Sequence, residues 1–100
     1  MSEFDPDALS LDETDARYDG EMEVVRLDAR LRRQAVSVDV SAEAVEKLVG
    51  EGPLAPERLV DGVEANRAAI VRIARDKAGS RLPAGGIILL TARDMPRRGG

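Results

Sequence analysis

Cysteine and histidine are both missing from this chain of 100 residues. The lack of cysteine excludes disulfides, thiolate nucleophiles, Cys-ligated zinc and iron–sulfur clusters. The lack of histidine removes the commonest metal ligand, the usual general base and any Ser–His dyad. Tryptophan is missing as well, and Phe4 and Tyr18 are the only aromatics. Two rings build neither a base-stacking platform nor an aromatic core. No run nears the roughly 18 apolar residues of a membrane span. The N-terminus has neither the basic start nor the apolar stretch of a secretory signal. From these absences we expect a cytoplasmic, non-enzymatic protein with no cofactor, no metal and no membrane contact. The length suits one small domain.

The charge is unevenly placed. Residues 1–23 hold nine acids and one base, Arg17, against a net charge of −4 for the whole chain. The remainder is mildly basic, with fourteen bases and ten acids over residues 24–100. Phe4, Leu9 and Leu11 offer little apolar area in the acidic front. Residues 1–20 are therefore expected to be a disordered, solubilising tail, because little burial offsets chain entropy. Residues 21–95 are expected to be the domain, and 96–100 a flexible C-terminal tail. Thirteen arginines against two lysines, with much Ala, Gly and Val, hint at a GC-rich bacterial genome.

The hydropathy pattern predicts strands over residues 22–27 and 35–40. In the second, Val36, Val38 and Val40 point to a core while Ser37 and Asp39 face water. The short polar link at 28–33 predicts a β-hairpin. Ser41 stands at a helix N-cap, with Glu43 in the first turn. Ala44, Val45, Leu48 and Val49 form one apolar face, and Gly50 is placed for a left-handed cap. Pro56 suits the first turn of a second helix over residues 57–78, carrying Leu59, Val63, Ile70, Ile73 and Ala74. Gly62 weakens that helix, Gly79 ends it and Pro83 forbids its continuation. Residues 87–91 read as a last strand, apolar on both faces. Thr91 and Asp94 have the spacing of a capping box before Met95. The order is β-β-α-α-β. It predicts the α+β class, a small antiparallel sheet with two helices on one face. The core is expected where Val36, Val38, Ile70, Ile73, Ile88 and Leu90 meet.

Three segments together resemble a family of small bacterial proteins catalogued as domain of unknown function 1488. They are Val40-Ser-Ala-Glu-Ala-Val-Glu-Lys-Leu48, Ala65-Asn-Arg-Ala-Ala-Ile-Val-Arg-Ile-Ala-Arg75 and Leu90-Thr-Ala-Arg-Asp-Met95. The resemblance spans residues 18–95. Lys77-Ala78 stands where Lys-Tyr is common in the family, and Met95 where Phe is common. The resemblance implies an α+β fold and no established activity, so it brings no catalytic residue.

Several residues carry candidate roles. Asn66 and Arg67 fall beside the apolar stripe of the long helix. There Asn66 is expected to bond a nearby carbonyl and Arg67 to pair an acid. Arg67, Arg72 and Arg75, with Lys77 and Arg81, could instead attract phosphate or a partner if they lie together. Net charge and the absence of any zinc-finger or helix-turn-helix pattern argue against tight nucleic-acid binding. No phosphate-loop or dinucleotide-binding glycine pattern is present. The closing Arg-Gly-Gly is similar to the end of ubiquitin-like modifiers, yet those folds have one long helix after the first hairpin and then more strands. The first strand, with Glu21, Glu23 and Arg26, reads as a protected edge. The last strand has no such protection. Ile87, Leu89 and Met95 are therefore the expected contact residues of a protein-interaction module, with a homodimer or an unknown protein as partner. The alternatives are a weak nucleic-acid or anion-binding accessory protein and a conjugated modifier.

Overall fold

The computed structural model describes residues 8–79 and 81–96. Residues 1–7 of the acidic front and the Arg-Gly-Gly end lie outside the described residues.

Alternation continues further along the hairpin than expected. β3 (Val24–Leu31) and β4 (Gln34–Ser41) pair antiparallel along their full lengths, from Val24 opposite Ser41 to Leu31 opposite Gln34. Residues 28–31 are strand and not link, because Ala29 and Leu31 extend the buried row of Val25 and Leu27 while Asp28 and Arg30 face outward. The turn is only Arg32-Arg33, both at positive φ of 52° and 67°. That conformation matches the twist of the flanking strands, although glycine and asparagine adopt it more readily.

Upstream, β1 (Ser10–Leu11) and β2 (Arg17–Asp19) both pair antiparallel with β3 and divide its outer edge between them. The front is therefore not an idle tail from residue 8 onward. Leu9 is buried in the core, Ala16 is buried, and Leu11 and Tyr18 pack against the same cluster. Few apolar residues suffice here because each enters a site that the rest of the fold leaves open. The first predicted strand is thus internal to the sheet and not a protected edge.

The helical caps follow the sequence. In α1 (Ala42–Val49) the Ser41 hydroxyl accepts the Ala44 N–H at 3.1 Å, and Gly50 closes the helix at φ 89°. Pro56 opens α2 (Pro56–Ala65). The predicted single helix over 57–78 is two. Asn66, at φ −124° and ψ 25°, separates α2 from α3 (Arg67–Ala78). Its amide donates back to the Gly62 carbonyl at 2.8 Å. This local side-chain bond competes with continued helix. Gly62 is a close-approach position. A Cβ there would meet Val49 Cγ2 at 2.8 Å and Val45 Cγ1 at 3.0 Å, so glycine lets α2 lie against α1.

After a 3-10 turn at Ala84–Gly86, β5 (Ile87–Leu90) returns to the sheet. It pairs with β4 in parallel, Val38 opposite Ile88 and Val40 opposite Leu90, and not antiparallel as predicted. Three helices between β4 and β5 give the long crossover that a parallel connection requires. Among the described residues the sheet has five strands, with β1 and β2 sharing one edge and β5 forming the other. The α+β class and the helices on one sheet face are as predicted. Inward residues of β3, β4 and β5 form one cluster with Leu59, Val63, Ile70, Ala74 and Met95. Ile73 is half-buried at its margin. The Thr91–Asp94 capping box forms, with the Thr91 N–H donating to Asp94 at 2.8 Å.

Ile70 is fully buried. Ile70→Ala should cost about 2–5 kcal/mol, read as a lower denaturation midpoint. Leu9→Ala should also lower the midpoint, by about 2–3 kcal/mol. An unchanged midpoint for Leu9→Ala would mean that the front adds nothing to the fold.

Candidate functional site

The predicted contact residues do not form one site. Arg67 and Arg75 lie on α3 against the N-terminal strap, residues 9–16. Arg67 donates to the Thr14 carbonyl at 3.2 Å, to the Asp12 carbonyl and to Glu64 at 2.9 Å. Arg75 Nε donates to the Leu9 carbonyl at 2.7 Å. Glu64 accepts the Ala16 N–H at 2.9 Å. That bond first, and Arg67 after it, hold the Glu64 carboxyl below its ordinary range. A cavity of about 490 Å³ runs between strap and α3, lined by Leu11, Thr14, Glu64, Arg67, Val71 and Arg75 among others. Its arginines are engaged by the chain's own carbonyls. Arg72 is exposed and makes no side-chain hydrogen bond among the described residues. Met95 is 4% exposed and belongs to the core, so it is withdrawn from the surface where a contact was expected.

Among the described residues, no helix lies over the outer face of the sheet. One row across it reads Arg17, Arg26, Asp39, Leu89, and the next reads Asp28, Ser37, Ile87. Over β2, β3 and β4 these rows are polar and knitted together. Arg26 reaches Asp39 with Nε at 3.1 Å and Nη2 at 3.2 Å, and Asp19 at 3.1 Å. The Ser37 hydroxyl donates to Asp39. Asp39, expected to face water, is 4% exposed, and Arg26 and Ser37 satisfy its carboxylate. Arg17 forms a bidentate pair with Asp28, at 2.9 and 3.0 Å, and Thr14 adds a third bond. Arg17 and then Thr14 hold the Asp28 carboxyl at about 2. The Asp19 carboxyl is also lowered, chiefly by the Met22 N–H.

At β5 the polarity stops. Ile87 is 47% exposed and Leu89 is 45% exposed. A cavity of about 300 Å³ adjoins them, between the end of α3 (Lys77, Ala78), the loop with Arg81, Leu82 and Pro83, and β5 itself. Lys77 Nζ bonds the Leu89 carbonyl at 2.6 Å and Asp94 at 2.9 Å. Lys77 is also the chief cause of a lowered Asp94 carboxyl. The sequence groups Lys77 with the arginines of α3 as a phosphate- or partner-attracting set, whereas it holds the Leu89 carbonyl and Asp94. The part of Asp39 in the outer-face network had no signal beyond its outward place in the β4 alternation. No group of three or more acidic side chains converges as a metal site among the described residues. None of their helices is long and apolar enough to cross a membrane.

This arrangement is that of a known fold. A protein of unknown function from the domain of unknown function 1488 family of Shewanella loihica PV-4 superposes on the chain with a TM-score of 0.71. The chains are 15% identical, and the match covers 84% of this chain and 92% of that one. The chain has the fold that its sequence resemblance implied. No protein-family model matches the chain, and no curated protein matches it.

The Asp28 carboxyl gives a pH dependence with a definite sign. An unfolded aspartate titrates at about 3.9. Folding lowers that value to about 2, so the Arg17–Asp28 contribution is complete above about pH 4 and drains as the pH falls toward 2. Asp28→Asn should flatten the fall in denaturation midpoint between pH 5 and pH 2, relative to the parent chain. Equal slopes in the two proteins would show that Asp28 does not contribute.

Proposed function

We propose that the chain is a small non-enzymatic protein-interaction module of the bacterial cytoplasm, a distant member of the domain of unknown function 1488 family, working through its β5 edge. The observation that carries this reading is the pair Ile87 and Leu89, nearly half exposed and adjacent on an edge strand. Over β2, β3 and β4 the outer face is closed by its own ion pairs. Among the described residues Ile87 and Leu89, with Leu82 beside them, are the exposed large apolar side chains that cluster, while Met22, 66% exposed, stands alone in the turn before β3. The phosphate-binding alternative has less support. Arg67 and Arg75 direct guanidinium hydrogens to the chain's own carbonyls, and Arg17, Arg26 and Arg58 pair with carboxylates.

A photoreactive benzoyl-phenylalanine placed at Leu89, compared with one at Arg72, tests the surface in the native host. Discrete protein adducts are expected from position 89, at least fivefold more abundant than from position 72. Equal adducts, or none, would overturn the reading.

A further inference from the structure

We propose that the β5 edge takes an extended polypeptide segment in which acidic residues flank alternating apolar ones, added as a further strand beside β5. This rests on the reading that β5 is the interaction surface, and it names the partner's chemistry.

The backbone supplies the first argument. β5 ends the sheet, so among the described residues one side of its main chain has no strand beside it. Among the described residues, the only bond to the β5 backbone besides its pairing with β4 comes from Lys77 to the Leu89 carbonyl. An ammonium on a flexible stem is a replaceable cap. An incoming N–H can take the carbonyl, and the ammonium can then turn to a carboxylate of the incoming segment.

Charge supplies the second. The ionisable groups lining the β5 cavity are Lys77 and Arg81, with no carboxylate among the lining residues. Asp94 lies close by but is already held by Lys77 and by Thr91. The Arg81 side chain has no ion-pair partner among the described residues, while its N–H bonds the Ala78 carbonyl. A ligand with carboxylates beside its strand meets both bases.

Area decides against a second copy as occupant. Exposed Ile87 and Leu89, with Leu82 at 38%, offer on the order of 250 Å² of apolar surface, against roughly 450 Å² of apolar area within the about 800 Å² that each partner buries in a stable interface. A two-fold axis at β5 would also bring Lys77 and Arg81 toward their own copies. A short strand draws its affinity from main-chain bonds, with apolar contacts from every second side chain.

The test uses the full chain, labelled with ¹⁵N, and two blocked octapeptides, Glu-Glu-Val-Thr-Val-Thr-Glu-Glu and Lys-Lys-Val-Thr-Val-Thr-Lys-Lys. The acidic peptide should shift the amide signals of Lys77 and residues 87–90 saturably, and bind at least tenfold more tightly than the basic one. Its affinity should fall about threefold or more in Arg81→Glu, an exposed change that leaves the core intact. Binding should also weaken between 50 and 300 mM salt. Absence of binding, equal binding of both peptides, or shifts centred on α3 and the strap would overturn the proposal. So would a dimer through β5 in sedimentation of the chain alone. Adducts from position 89 alongside failure of the acidic peptide would overturn this proposal and leave the interaction surface standing.

Discussion

Arg67 is the tie on which the rest of the molecule depends. Its guanidinium joins the carbonyls of Asp12 and Thr14 to Glu64, and Glu64 in turn holds the Ala16 N–H. An N-terminal strap with few apolar residues is thereby fixed across α3, with Arg75 securing its start at Leu9. Without the strap, β3 would lose β1 from its outer edge, and the core would lose Leu9 and Ala16. The geometry also requires the break at Asn66. That break starts a new helix at Arg67, whose side chain reaches the strap while Ile70 and Ala74 meet the sheet.

The two faces of the sheet solve different problems. The inner face is a single apolar cluster, closed by three helices and the strap. The outer face has no layer over it among the described residues and is stabilised laterally, by cross-strand contacts such as Arg26 with Asp39. An internally paired polar network of this kind leaves few groups seeking a partner. The change to Ile87 and Leu89 at β5 is abrupt, and it coincides with the place where the sheet runs out of strands.

What was legible in the sequence was local. Ser41, Gly50, Pro56 and the Thr91–Asp94 box act within four residues of themselves, and each performs its predicted part. Valines on alternate residues marked β4 in the same way. Periodicity could not separate α2 from α3, because Val63 and Ile70 are seven residues apart and fit one continuous helix. Only Asn66, whose amide can compete for a helix carbonyl, hinted at the break. Alternation also says nothing of strand direction, so the parallel pairing of β5 was hidden. The strap was hidden for another reason. Its partners lie about fifty residues away, and the acceptors are backbone carbonyls, which every residue has. Acid–base complementarity foretells an acid for Arg67, which is Glu64, but not the strap carbonyls that Arg67 and Arg75 also hold, and so the acidic front reads as disorder. Met95 was misplaced because a methionine near an end reads as surface until the core that receives it is known.

The parallel register of β5 with β4 also bears on how the chain reaches this state. The β3–β4 hairpin closes over two residues and can form within microseconds. The β4–β5 pairing spans the three helices between the two strands and carries the loop-closure entropy of that whole intervening length. Until it forms, Val36, Val38 and Val40 belong to an unfinished sheet with a bare margin. The same margin on the finished molecule is displaced outward by one strand, to β5. The order of assembly thus transfers an exposed edge from the valine-rich centre of the sheet to a short, lysine-capped border.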